Sequence, residues 1–209
     1  MRSKARVYIV DDDDAVRDSL GFQLEAAGYD VQGFGSGTDF LQQAAGLPRG
    51  CLILDVRMPE MDGLELQARL SQLELDFPVI MITGHGEVPL AVRAMKAGAI
   101  DFVEKPFSEA TILGSIALAL RPRPSRERRD ENADIAEERV GLLSPREREV
   151  LEGLVAGRPN KLIAFELGLS PRTVEVHRAR VMDKMQARSV SELVRLALAA
   201  GVEIKPLIS

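Results

Sequence analysis

Cys51-Leu52-Ile53-Leu54-Asp55 is a run of four apolar residues that ends in a carboxylate. A short, continuous apolar run of this kind is typical of a strand that is buried on both faces of a parallel sheet. In open α/β sheets, the carboxyl ends of the strands face the crevice where ligands bind. The sequence therefore predicts that Asp55 lies at the ligand-binding edge of a parallel sheet.

Similar strand signals recur through the first 120 residues and alternate with helical patterns. Strands are predicted at 6–10, 30–34, 51–54, 79–82 and 100–103. Helices are predicted between and after them, near 14–27, 37–45, 63–74, 87–97 and 108–120. Crossovers of this length join parallel strands. We therefore expect residues 1–120 to form an α/β domain, a (βα)5 flavodoxin-like fold with sheet order 2-1-3-4-5.

The rest of the chain has a different character. Residues 121–140 begin with two prolines and continue as a highly charged segment, which indicates a linker that is helical in part. All patterns from 141 to 209 are helical and predict four helices, at about 145–156, 160–167, 171–185 and 191–200. The third helix follows the second after a short turn at Gly168, which is the helix-turn-helix arrangement.

Composition excludes several classes of protein. No apolar stretch reaches 18 residues, so we expect no membrane-spanning helix and no membrane partner. The amino terminus lacks the apolar region of a signal peptide, and the cytoplasm is the expected compartment. The single cysteine excludes disulfides within the chain, and with only two histidines no zinc site is expected.

Charge is distributed unevenly along the chain. Residues 1–120 hold 10 Lys and Arg against 18 Asp and Glu, whereas residues 141–209 hold 11 against 8. An acidic first domain suggests a cation site, and a mildly basic second domain suggests a polyanionic partner.

Polar side chains are predicted at the ends of four strands of the first domain. Asp11 and Asp12 follow the first strand, Asp55 ends the third, and Thr83 and Lys105 follow the fourth and fifth. Three carboxylates within a few ångströms of one another favour a bound dication, and Mg²⁺ suits oxygen ligands. The set matches the needs of phosphoryl transfer to a carboxylate: Asp55 as the nucleophile, with Thr83 and Lys105 contacting phosphoryl oxygens.

These residues, with the segment Leu54-Asp55-Val56-Arg57-Met58-Pro59-Glu60-Met61-Asp62-Gly63 and Lys105-Pro106, resemble the receiver domains of bacterial response regulators. The resemblance implies that a sensor histidine kinase phosphorylates Asp55. It implies that Asp12, Asp55 and the Arg57 carbonyl bind Mg²⁺ with help from Asp11, and that Phe102 is an aromatic switch residue coupled to Thr83. We expect slow self-dephosphorylation of Asp55 to limit the lifetime of the phosphorylated state. It would not be catalysis on outside substrates, so we do not expect the protein to be an enzyme.

Residues 142–200 resemble the LuxR-type DNA-binding domain through Leu143-Ser144-Pro145-Arg146-Glu147, Asn160-Lys161 and Ser170-Pro171-Arg172-Thr173-Val174-Glu175-Val176-His177. Basic, hydroxyl and imidazole groups are expected on the DNA backbone, and the resemblance places three further residues against base edges. The backbone set is Lys161, Arg172, Thr173, His177, Arg178, Arg180 and Lys184. The base-facing set is Glu175, Val176 and Ala179.

A receiver joined to a LuxR-type output domain resembles the NarL/FixJ group. The Thr83-Gly84-His85-Gly86 loop and residues 170–179 are most similar to FixJ-type regulators. That resemblance implies an activator of nitrogen-fixation or microaerobic genes, a haem-containing oxygen-sensing kinase as partner, and contact with RNA polymerase. Phosphorylation would create a homodimer through the helix at 87–97, where Val92 and Lys96 are candidates on the outer part. The dimer would bind two half-sites on double-stranded promoter DNA.

Other functions fit parts of the same pattern. A haloacid-dehalogenase-type phosphatase also forms an aspartyl phosphate, but it places its nucleophile on the first strand in an Asp-x-Asp run. A regulator for another signal remains an alternative, as does a phosphorylation-independent DNA-binding protein, although the latter predicts a missing pocket residue. An RNA-binding antiterminator is disfavoured by the Ser-Pro-Arg-Thr-Val-x-x-His pattern at 170–177.

Overall fold

The structure is a computed structural model that describes residues 4–84, 88–122 and 126–202. Five strands alternate with five helices over the first 120 residues. The strands are β1 (Arg6–Val10), β2 (Asp30–Phe34), β3 (Cys51–Asp55), β4 (Val79–Thr83) and β5 (Asp101–Glu104). The helices are α1 (Asp14–Ala26), α2 (Gly37–Ala44), α3 (Gly63–Gln72), α4 (Val88–Lys96) and α5 (Glu109–Ala119).

The strands form one parallel sheet in the order β2-β1-β3-β4-β5, which confirms the predicted fold class. β3 and β4 lie in its interior, and every residue of both strands is buried. The apolar side chains of the inner strands pack against α1 and α5 on one face, in a core that includes Ile53, Ile80 and Ile112. This core holds the carboxyl ends of β1, β3 and β5 at one edge of the sheet.

The remaining described chain is helical. Its elements are α6 (Arg126–Gly141), α7 (Pro145–Val155), α8 (Asn160–Leu167), α9 (Pro171–Lys184) and α10 (Val190–Ala199). Ser144 caps α7 in the predicted capping box with Glu147, and Ser170 caps α9 by accepting the Thr173 N–H. Gly168 ends α8 with φ 65°, a left-handed conformation that glycine adopts without steric cost.

The segment predicted as a linker is a single helix over most of its length. Near its carboxyl end, Ala136 and Val140 are buried, and Val140 belongs to the hydrophobic core formed with α7, α9 and α10. Apolar packing of the output helices therefore begins before residue 141, the boundary that charge and proline content suggest. The described residues include no helix that is long and apolar enough to cross a membrane.

The described chain divides into two compact units. One comprises 4–84 with 96–122, and the other comprises 88–95 with 126–202.

Candidate functional site

Three charged side chains meet at the carboxyl edge of the sheet. The Lys105 ammonium, just after β5, donates to Asp11 Oδ2 at 2.6 Å and to Asp55 Oδ1 at 2.7 Å. The Lys105 N–H also donates to the Thr83 carbonyl at 2.7 Å, which ties the end of β5 to the end of β4. The predicted meeting of Asp11, Asp55 and Lys105 therefore occurs, with an ammonium joining two buried carboxylates.

Burial and hydrogen bonding shift the pKa values of Asp55 and Lys105 in opposite directions. Burial raises the pKa of Asp55 above its usual range, although the hydrogen bond from Lys105 opposes that shift. Burial alone would lower the pKa of Lys105, but its hydrogen bonds to Asp11 and Asp55 raise the pKa overall. A permanently charged ammonium beside the acid suits the site to hold a negatively charged oxygen-rich group.

Backbone groups hold both carboxylates. The Arg57 N–H donates to Asp55 Oδ2 at 2.6 Å, and the Asp13 N–H donates to Asp11 Oδ1 at 3.0 Å. Thr83, which ends β4, is 1% exposed at the same edge. In each carboxylate, one oxygen therefore accepts from a backbone N–H and the other accepts from the Lys105 ammonium.

The expected cluster of three carboxylates is not present in this form. Asp12 is exposed, and no group of three His, Cys, Asp or Glu side chains within 4–84, 88–122 and 126–202 is placed to hold a metal ion. Two converging carboxylates still fit Mg²⁺, which uses one or two protein carboxylates and keeps several waters.

The candidate switch and dimer residues have contrasting environments. Phe102 in β5 is half-buried and lies opposite Met81 in the sheet register. Lys96 at the end of α4 is exposed, whereas Val92 is 1% exposed. A methyl group at Gly157 would lie 3.6 Å from the Val92 Cβ, so the turn after α7 packs beside Val92. The role of both residues in a dimer stays a prediction. His85 and Gly86 of the predicted loop lie outside the described residues.

Sequence reasoning gave no role in the site to three groups that shape it: Asp13, Arg17 and Gly63. The Asp13 side chain caps α1 by accepting the N–H groups of Ala15 and Val16. A methyl group at Gly63 would lie 2.4 Å from the Asp55 carbonyl, so only glycine fits there. A signal existed for Arg17, because its three-residue spacing from Asp14 is that of a helical ion pair.

The helix-turn-helix presents most of its predicted DNA contacts to solvent. Val174 and Val181 point into the core, as their spacing predicts, which leaves the opposite face of α9 open. The exposed members of the predicted set are Lys161, Arg172, Glu175, Val176, Ala179 and Arg180, and the half-buried members are Thr173, His177 and Arg178.

Lys184, which is predicted to contact the DNA backbone, has partners within the chain. Its ammonium donates to Glu147 Oε2 at 2.6 Å and to the Leu142 carbonyl at 3.1 Å. Glu147 is 3% exposed, and Lys184 therefore joins the last turn of α9 to the buried start of α7. The Nδ1 atom of His177 is buried and has no hydrogen-bond partner among the described residues, which agrees with a packing role for one side of that ring.

Known protein families match both the α/β domain and the helical domain. The family model of the response regulator receiver domain matches residues 7–117, and that of bacterial regulatory proteins of the luxR family matches residues 141–197. Transcriptional regulatory protein FixJ of Bradyrhizobium diazoefficiens is 51% identical over 97% of this chain and 98% of its own. FixJ of Rhizobium meliloti is 50% identical over 93% and 96%, and response regulator protein TmoT of Ectopseudomonas mendocina is 48% identical over 91% and 86%.

Solved structures show the same likeness. Full-length FixJ from B. japonicum has a TM-score of 0.56 at 51% identity, covering 96% of this chain and 99% of that one. The response regulator StyR has a TM-score of 0.54 at 42% identity, covering 94% and 99%. The relatives are regulators and not enzymes. This chain therefore belongs to the two-component response regulators of the NarL/FixJ group, which join a receiver domain to a LuxR-type DNA-binding domain.

Proposed function

We propose that this protein is a transcriptional activator switched on by phosphorylation of Asp55. The observation that carries the proposal is the pairing of Asp55 and Asp11 with one ammonium, Lys105, at the carboxyl edge of the sheet. The single ammonium balances only one of the two carboxylate charges, so a divalent cation that also binds phosphoryl oxygens would complete the site. The same chain carries a helix-turn-helix with exposed basic side chains.

In the proposed reaction, an Asp55 carboxylate oxygen attacks the phosphorus of the donor. A phosphorus–oxygen bond forms, and the phosphorus–nitrogen bond to the kinase histidine breaks with its electron pair left on the imidazole. No general base is required, because the attacking group is a carboxylate. Lys105 would move from its two carboxylate partners toward a phosphoryl oxygen, and Thr83 would donate a hydrogen bond to another.

The groups proposed to hold Mg²⁺ are the side chains of Asp11, Asp12 and Asp55 and the Arg57 carbonyl. When bound, the ion offsets the negative charge of the phosphoryl oxygens. Asp11 and Asp55 already converge on a common cation in this structure, which supports a dication site between them.

The signal is proposed to travel from Thr83 and Phe102 to α4. A receiver–receiver homodimer would form through that helix, with Lys96 on its exposed side and Val92 available only after a rearrangement that uncovers it. The dimer would place two α9 helices on half-sites about one helical turn apart and would then recruit RNA polymerase.

In α9, the exposed residues are proposed to divide by role. Arg172, Arg180 and Lys161 of α8 would contact phosphates, whereas Glu175 and Val176 would face base edges. The proposed interface also includes Thr173, His177, Arg178 and Ala179. It does not include Lys184, because that side chain is paired with Glu147.

The decisive experiment treats the full chain with acetyl phosphate and Mg²⁺ and measures phosphorylation, dimerisation and binding to duplex DNA. Wild type is expected to gain one phosphoryl group, dimerise and bind more tightly. Asp55→Asn should do none of these, and the exposed Asp18→Asn on α1 serves as the matched control. Dimerisation and DNA binding by Asp55→Asn in response to the donor would rule out the proposed mechanism, and preference for an RNA duplex would favour an antiterminator.

The input is proposed to be oxygen, read by a haem-containing kinase that controls nitrogen-fixation or microaerobic genes. Support comes from the likeness to FixJ over nearly the whole chain. A regulator named TmoT is almost as similar, so the test must be direct. Phosphotransfer from a purified haem kinase should be faster when its haem is deoxygenated, and equal rates in both states would exclude an oxygen signal.

A further inference from the structure

Arg17 of α1 is an unassigned cation beside the phosphoacceptor pocket. Its guanidinium donates from Nη1 to the backbone carbonyl of Asp11 at 2.6 Å and pairs through Nη2 with Asp14. The Arg17 side chain is 18% exposed, whereas that of Asp14 is 85% exposed. The inner contact is therefore shielded from water and the outer one is not, so the bond to Asp11 is the stronger constraint.

Every polar atom of Asp11 has a defined partner. Its N–H donates to the Phe34 carbonyl at 3.3 Å, and its Oδ1 and Oδ2 accept from the Asp13 N–H and the Lys105 ammonium. Its carbonyl accepts from Arg17, and this side-chain bond adds to the contacts of Asp13 that also join the β1–α1 turn to α1. Because Asp11 and Asp55 share one ammonium, a shift of the Asp11 backbone would also move Lys105 relative to Asp55.

Two glycines leave the space that Arg17 occupies. A methyl group at Gly33 would lie 3.7 Å from the Arg17 Cδ, and one at Gly35 would lie 3.8 Å from the guanidinium carbon and both its terminal nitrogens. These are ordinary contact distances, so alanine fits at either position, but a larger side chain at Gly35 would displace the guanidinium. The backbone at the carboxyl end of β2 therefore packs beside the Arg17 side chain and limits the positions that the guanidinium can adopt.

We propose that Arg17 is a positioning residue for phosphoryl transfer to Asp55, acting through the Asp11 carbonyl. The inference rests on the proposed function of Asp55. Without the Arg17 bond, the Asp11 carbonyl loses its side-chain donor while Asp13 still caps α1, and Asp11 samples positions in which its Oδ2 no longer aligns Lys105. Displacements of about 1 Å near reacting groups slow enzymatic steps by up to about a hundredfold.

The test measures the second-order rate constant for phosphorylation of the full chain by acetyl phosphate with Mg²⁺. Arg17→Gln is expected to lower the rate constant about tenfold, within the range for misplaced reacting groups. Arg17→Lys should restore part of the rate, because an ammonium can still donate to the Asp11 carbonyl. Asp14→Asn, which removes only the exposed ion pair, should react like wild type.

A second pair of variants changes the position of Arg17 without removing it. Gly35→Leu should slow phosphorylation as Arg17→Gln does, whereas Gly35→Ala should not, and melting temperatures show that each variant is folded. Equal rates for wild type and Arg17→Gln, or no recovery in Arg17→Lys, would overturn the inference while leaving Asp55 as the phosphoacceptor. Failure of wild type to accept a phosphoryl group would overturn the proposed function and this inference with it.

Discussion

At the scale of single residues, small and buried groups around Asp55 set the geometry of the pocket. Gly63 begins α3, and its N–H donates to the Val56 carbonyl at 3.0 Å. The close approach of α3 to the end of β3 leaves no room for a side chain at residue 63. The loop that contains Arg57 is therefore closed by glycine, which keeps the Arg57 N–H on the Asp55 carboxylate.

Gly63→Ala tests this packing. Its methyl group would lie 2.4 Å from a backbone oxygen, so we expect a loss of about 1–3 kcal/mol in the free energy of unfolding, typical of overpacking. Gly114→Ala is the control, because it lies inside α5 with nothing within 4 Å, and should gain about 0.5–1 kcal/mol. Urea denaturation measures both, and equal effects of the two variants would contradict the close approach at Gly63.

Glu147 predicts a defined acid sensitivity. Hydrogen bonds from Lys184 and the Ser144 N–H lower the pKa of Glu147 from 4.5 to about 2. A lowered carboxyl pKa stabilises the fold above the unfolded value, so this contribution is complete above pH 4.5 and disappears as pH falls toward 2. Glu147→Gln should lose about 1–3 kcal/mol near pH 6, the range for hydrogen bonds to charged groups.

Thermal melts of wild type and Glu147→Gln between about pH 6 and pH 2 measure that difference. The gap in melting temperature should shrink across this window, because the wild-type carboxylate becomes protonated. Glu149→Gln is a matched control on the same helix, since its ion pair with Arg146 is exposed and contributes little. A gap that stays constant with pH would show that the Glu147 charge is not the stabilising feature.

At the scale of elements, α6 is the part whose role the structure changed most. Arg139 donates from Nη1 to the Met185 carbonyl at 3.1 Å and from Nη2 to Gln186 Oε1 at 2.7 Å. Gln186 has φ 52°, an uncommon conformation for a residue other than glycine, just beyond the end of α9. The linker helix is therefore attached to the end of α9 and belongs to the same compact unit.

Arg139→Ala should loosen that attachment. We expect faster amide hydrogen exchange across residues 130–141 and a loss of about 1–2 kcal/mol, the scale of two hydrogen bonds from a charged group that is partly solvated. Glu138→Ala changes an exposed neighbour and should leave exchange unaltered. Hydrogen–deuterium exchange of the full chain decides the matter, and unchanged protection in Arg139→Ala would show that apolar packing of Ala136 and Val140 suffices.

At the scale of the whole molecule, the two domains differ in net charge. The first 120 residues carry a net charge of −8 and contain the proposed Mg²⁺ site, whereas residues 141–209 carry +3 and expose arginines on α9. The excess positive charge of the output domain is small. Affinity for DNA should therefore depend on a few well-placed phosphate contacts instead of a broad basic surface.

Salt dependence measures those contacts. Arg172→Ala and Arg180→Ala should each reduce the slope of log affinity against log salt concentration by about 1, whereas the exposed Arg195→Ala on α10 should leave it unchanged. Fluorescence anisotropy of the phosphorylated protein on operator DNA at several salt concentrations gives the slope. An equal change for Arg195→Ala would place the DNA on a different face.

Glu175→Gln probes base recognition in the same assay. A carboxylate accepts from a cytosine amino group, so removing its charge should relax the preference for cytosine at one position of each half-site by about 1–3 kcal/mol. The salt slope should stay close to that of wild type, because Glu175 contacts no phosphate in the proposal. An unchanged base preference would remove Glu175 from the base-facing set.

The local order of residues was sufficient to predict the parallel sheet, nearly every element and the grouping of Asp11, Asp55 and Lys105. Buried apolar runs such as 51–55, Ser-Pro helix starts at 144 and 170 and the stop at Gly168 are local signals, because backbone propensity and capping act over a few residues. Strand ends of a parallel sheet also meet at one edge by geometry, which is why the positions of Asp11, Asp55 and Lys105 along the chain are enough to group them.

Only the tertiary structure showed that Asp12 is exposed, that Val92 is buried, that Lys184 is paired with Glu147 and that Arg17 reaches the Asp11 carbonyl. Each depends on which group lies opposite in space, and a long or apolar side chain has the same local pattern whichever neighbour it meets. Sequence by itself determined what chemistry is present at the sheet edge and on α9. Packing decided which of those groups are free to act, because burial and pairing are properties of the folded neighbours.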